Sequence, residues 1–114
     1  MRELTVGDNL TAGTSNTVYT VPKGCKAIAT LLFISNGGGT TKAVTAKWYN
    51  HSENKEVTIA GSASLNAGSY LQFSDGRMVM DEYDELRVTP EAASTMSCIF
   101  TVEIHQNTSY QNGS

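Results

Sequence analysis

Cys98-Ile99-Phe100-Thr101-Val102-Glu103-Ile104-His105 is the stretch that decides the fold. Successive side chains on a strand point to opposite faces, so Cys98, Phe100, Val102 and Ile104 form one row and Thr101, Glu103 and His105 the other. The alternation predicts a strand with one face on a core and one face in water. Outward from it, the same period of two runs through most of the chain.

Ala27 to Ser35 is apolar on both faces over most of its length and is flanked by Pro22, Gly24 and Gly37. Its β-branched content and bounded length predict a central strand covered on both sides. Ala43 to Asn50 sets Val44, Ala46 and Trp48 against Thr45 and Lys47, and Glu56 to Ala60 offers Val57 and Ile59 in the same way. Further strands are expected at Thr17 to Val21, Ser69 to Phe73, Met78 to Met80 and Glu85 to Thr89, with a short edge at Glu3 to Val6. Turn chemistry separates them. Pro22-Lys23-Gly24 fits a type II turn with Gly24 at its third position, Asn36 to Gly39 reads as a hairpin turn, and Ala67-Gly68 and Asp75-Gly76 supply residues that tolerate positive φ. Glu91 to Thr95 is too short for more than one helical turn. Seven to nine strands at this spacing predict an all-β fold, a single antiparallel β-sandwich or jelly-roll-like barrel over residues 1–105. Residues 106–114, QNTSYQNGS, lose the alternation and are expected to be a polar, mobile tail unless a partner holds them.

Composition agrees and excludes several classes. The 114 residues are 39% hydrophobic and 17% charged, so one domain with a real core is expected rather than a disordered or collagenous chain. Thr, Ser and Asn exceed a quarter of the chain, which suits strands and turns. Eight basic against eleven acidic residues, with no basic cluster, argue against nucleic-acid binding. The longest nearly apolar stretch, Ala27 to Ile34, is too short to span a membrane, and the opening MRELTVGDNL lacks the apolar segment of a secretory signal.

Candidate chemistry is sparse. His51 and His105 belong to no spaced ligand motif and read as exposed polar residues. The acidic run Asp81-Glu82-Tyr83-Asp84-Glu85 could offer oxygen ligands to calcium but lacks the spacing and internal glycine of an EF-hand loop, so a solvated turn is the preferred reading. Trp48 could stack on a sugar, yet its alternation with Val44 and Ala46 favours the core. Gly37 to Gly39 is followed by no Lys-Ser or Lys-Thr pair at a phosphate-loop offset. Cys25 in a turn and Cys98 in a strand are read as free thiols in preference to a bridge. No catalytic, cofactor-binding or metal-ligating residue is assigned, and no enzyme activity is expected.

VYTVPKGCKAIATLLFISNGGG, from Val18 to Gly39, resembles the opening of small β-sandwich structural proteins of tailed bacteriophages. There a strand, a Val-Pro-x-Gly turn and a long apolar strand ending in Asn recur. LNAGSYLQFSDGRMVMDEYDELRVTP, from Leu65 to Pro90, resembles their second half, although this chain carries Tyr83-Asp84 where the family often has Gly-Asp. The resemblance implies a virion component. Capsid decoration is the favoured role, in a symmetric homo-oligomer (a trimer by preference) on capsid or tail proteins. A tail- or fibre-associated module or a lectin-like carbohydrate-binding domain is the alternative. Neither Glu3 to Val6 nor Thr17 to Val21 carries a Lys or Pro to blunt an exposed edge, which independently points to a partner.

Overall fold

The computed structural model describes residues 2–107. Nine strands follow one another: β1 (Arg2–Asn9), β2 (Asn16–Thr20), β3 (Cys25–Asn36), β4 (Lys42–Asn50), β5 (Lys55–Leu65), β6 (Tyr70–Phe73), β7 (Met78–Met80), β8 (Glu85–Pro90) and β9 (Met96–Gln106). They form two antiparallel sheets. Sheet 1 has the order β1-β9-β3-β6, with β7 pairing the other end of β3, and sheet 2 has the order β2-β8-β4-β5. Strands that are neighbours in sequence mostly lie in opposite sheets, the connectivity of a jelly-roll sandwich.

The alternation of β9 places its side chains as expected. Cys98, Phe100, Val102 and Ile104 are buried, and they meet Leu86, Val88, Val44 and Ala46 of sheet 2 in one core cluster. β3 occupies a central position between β9 and the β6/β7 edge. Ala27, Leu32 and Ile34 face the core. A bulge between Ala29 and Leu31 lets both halves of the strand keep their apolar row inward.

Contrary to expectation, among the described residues no further layer covers the second face of β3, where Ile28 alone is buried. Leu31 and Phe33 register with Thr101 and Ile99 on the outer face of sheet 1, where both are only half-buried and Ile99 is 40% exposed. An apolar run reports the hydrophobicity of a strand and leaves open which layers lie over it.

The Asn36 to Gly39 segment is also not a hairpin turn, since β3 and β4 belong to different sheets. It crosses between the layers. The buried Asn36 amide holds the crossing together, donating to the carbonyls of Thr40 and Leu65 at 2.9 Å and accepting from Gly38 N–H at 3.0 Å. Pro22 to Cys25 is the expected turn: Cys25 N–H reaches the Pro22 carbonyl at 3.2 Å and Gly24 takes φ +77°. Glu91 to Thr95 forms only a turn. At the end of the chain β9 runs one residue into the expected tail, with Gln106 registered against Cys25, and Asn107 N–H then donates to Gly24 O at 2.8 Å. The remainder of the tail, residues 108–114, lies outside the described residues.

Candidate functional site

The acidic run forms a turn, but it is not fully solvated. Asp84 is 1% exposed and accepts from Trp48 Nε1 at 3.0 Å, from His51 N–H at 2.9 Å and from Asp81 N–H at 2.9 Å. A buried carboxylate is tolerable when donors surround it, and here three donors converge on one carboxylate. Asp84 thus ties the β4–β5 loop to the turn before β8. Trp48 is half-buried and packs against the core, so its indole serves that tie with its N–H and the core with its rings.

Tyr83 adopts φ +70°, a region that favours glycine. Its ring meets the exposed His51 edge-on at 5.2 Å, and Tyr49 lies 6.1 Å beyond His51. These rings sit near one carboxylate that is already occupied. No group of three His, Cys, Asp or Glu side chains that could hold a metal occurs among the described residues. His105 is half-buried rather than exposed, with Nε2 3.6 Å from Glu103 Oε1, beyond hydrogen-bond range.

The cysteines stand apart as free thiols. Burial pushes the Cys98 thiol up to about 12, with the Asp8 carboxylate adding to the rise, so its reactive thiolate is suppressed. Cys25 is half-buried. The buried Tyr19 hydroxyl finds no partner among the described residues; its pKa is raised, first by burial and then by Cys25.

What the fold does present is surface of three kinds. The outer face of sheet 2 is charged: Arg87 bonds Glu56 and Glu85 at 2.7 Å each and lies 3.9 Å over the Tyr49 ring, while Lys47 reaches Glu56 at 3.4 Å. The outer face of sheet 1 carries an apolar patch, with Phe33 stacked on Tyr70 at 5.1 Å beside Ile99, next to Glu103, which lies 4.0 Å from Arg77 and 3.6 Å from His105. The third kind is edge. β1 ends sheet 1 on one flank and is a full eight residues long, twice the expected Glu3 to Val6 run, because Arg2, Gly7, Asp8 and Asn9 pair with β9 despite carrying no apolar signal. β5 ends sheet 2 on the other flank and is eleven residues long.

Beside β5 the sandwich is open. β6 pairs Leu32 to Ser35 and β7 pairs Ala27 to Ala29, so among the described residues Thr30 and Leu31 have no strand partner on that side of β3. The gap forms an apolar cleft of about 210 Å³ lined by Ala29, Leu31, Ile59, Phe73, Met78 and Phe100, with Arg77 also on its wall. Neither the break in the sheet edge nor the cleft was readable from residue order, because both depend on which strands β3 recruits.

No protein-family model matches this chain, and no curated protein matches it. Among solved structures it is similar to a chain from the work described as "Bacillus endospore appendages form a novel family of disulfide-linked pili", with a TM-score of 0.55 and 15% identity over 92% of this chain and 85% of that one. At that identity the likeness establishes a shared β-sandwich fold.

Proposed function

We propose that this chain is a non-enzymatic structural subunit that assembles with copies of itself through its sheet edges. One observation carries the reading: β1 ends sheet 1 as an eight-residue strand in unbroken register with β9, without proline and with its one basic residue, Arg2, at the strand end, while β5 ends sheet 2 on the other flank and is unbulged from Lys55 to Thr58. Folded monomers ordinarily blunt such edges, because unpaired backbone groups recruit other strands. The likeness to a pilus chain supports a filament, and the resemblance to phage structural proteins supports a homo-oligomeric coat on a capsid or tail, with capsid decoration its most specific form. Both are repeating assemblies. A sugar-binding role draws less support, since the Trp48 indole is bonded to Asp84 and half-buried.

Disulfides along a polymer require two accessible thiols per subunit, and Cys98 is fully buried. The described cysteines therefore favour non-covalent contacts. Sedimentation velocity and electron microscopy of the full-length chain under reducing conditions test the proposal. Regular oligomers or filaments are expected, whereas a monomer persisting at high concentration would overturn it.

A further inference from the structure

Resting on that reading, we infer that the cleft beside Ile59 is the seat of the β1 edge of a second copy, with β1 pairing antiparallel to the neighbour's β5. On β1 the inward row is Leu4, Val6 and Asp8: Leu4 and Val6 pack only partly on their own core, and Asp8 is exposed. On β5 the corresponding row is Lys55, Val57 and Ile59, of which Val57 is 38% exposed and Ile59 lines the cleft. Both flanks of the sandwich thus end in incompletely covered apolar side chains.

One register satisfies both strands. Setting Asp8 opposite Lys55 places Val6 opposite Val57 and Thr5 opposite Thr58, and brings Leu4 to Ile59, the residue that β5 bulges out between Thr58 and Ala60 at the mouth of the cleft. Opposite charges, matched β-branched residues and paired threonines all favour such neighbours. Sliding the pairing by two residues either way sets Val6 against Lys55 or Asp8 against Val57. A parallel alignment that keeps Leu4 opposite Val57 sets Arg2 against Lys55 and Glu3 against Glu56, two like-charge contacts. Among the described residues neither Asp8 nor Lys55 makes an ion pair, so both charges are free for the neighbour.

The chemistry of the cleft fits this occupant. Its wall is apolar and sits at the break between β6 and β7, and Leu4 is an aliphatic side chain already on an edge strand that points toward a sandwich interior. The contact joins different patches on the two copies. It is therefore head-to-tail, and it propagates into a ring or a filament rather than closing as a twofold dimer.

Charge exchange at the full-length chain tests the register. Asp8→Lys and Lys55→Glu should each weaken assembly about tenfold or more, as like charges then face each other, and the double variant should restore it. Leu4→Ser, which removes the aliphatic group at the cleft, should weaken assembly and stay weak in combination with either charge change. Circular dichroism and thermal unfolding establish that each variant is folded. A wild-type chain that remains monomeric overturns the assembly reading itself. A wild-type chain that assembles, with all of these folded variants assembling as well as it does, overturns this interface and leaves the assembly reading standing.

Discussion

The two outer faces of the sandwich share a geometry and differ in chemistry. On sheet 2, Lys47, Glu56, Glu85 and Arg87 form a connected charge network, and Tyr49 lies under the Arg87 guanidinium. On sheet 1, Leu31, Phe33, Tyr70, Val79 and Ile99 form an outward apolar patch beside Thr101, Glu103 and His105. Tyr70 is 59% exposed and Val79 53%. Both sheets contribute apolar inner rows to one core cluster, so folding places no demand on what stands outside. The contrast locates where the sequence serves something other than the stability of the monomer.

Phe100→Ala strikes beneath both faces at once and should have the largest effect. Phe100 is 1% exposed, and Tyr19 packs 5.9 Å from it across the core. Removing a ring from such a site costs about 3–5 kcal/mol, measurable by denaturant unfolding, whereas Thr101→Ala next to it should cost much less. Similar losses from the two would mean that the inward and outward rows of β9 are wrongly divided.

Asp84→Ala should come next, because it acts at the end of sheet 2 alone. It would strand the Trp48 indole N–H and two backbone N–H groups, a loss of about 2–4 kcal/mol. Asp84→Asn keeps an acceptor and should lose less. Thermal unfolding checks both, and a neutral Asp84→Ala would show that water replaces the carboxylate at no penalty.

These two residues also mark what the chain's pattern revealed and what it hid. Phe100 was legible because burial on a strand leaves a period-two trace, and Met78–Met80 was legible to the residue for the same reason. Asp84 was not. It sits in a run of four acidic residues that looks solvated, and its burial arises from Trp48 and His51, which are 36 and 33 residues away in sequence. β5 was foreseen only from Glu56 to Ala60 because its second half, Gly61-Ser62-Ala63-Ser64, carries small residues and one of the strand's two register shifts, which erase the alternation. The assembly site was the least legible part, since an edge becomes an edge only after every other strand has chosen its neighbours.

The smallest effects on stability should come from the outer faces themselves, where the contrast between them is sharpest. Arg87→Met removes a network of partly exposed charges, and such pairs are worth about 0–1 kcal/mol each and weaken with salt. Hydrogen bonds from Arg87, then from Lys47, hold the Glu56 carboxyl below the usual carboxylate range. A lowered folded value means that the unfolded chain binds the proton more readily. The contribution is therefore complete above the ordinary Glu value and disappears as the pH falls through the folded one, and Arg87→Met should flatten this acid limb of stability. Ile99→Thr on the opposite face has no such signature. Ile99 is 40% exposed on a strand whose neighbours stay paired, so unfolding should change by less than about 0.5 kcal/mol at any salt or pH. Its readout is surface hydrophobicity: binding of an anilinonaphthalene dye should fall for Ile99→Thr and hold steady for Arg87→Met. A dye signal that drops equally in both variants, or a salt dependence shared by both, would mean that the two faces meet water in the same way.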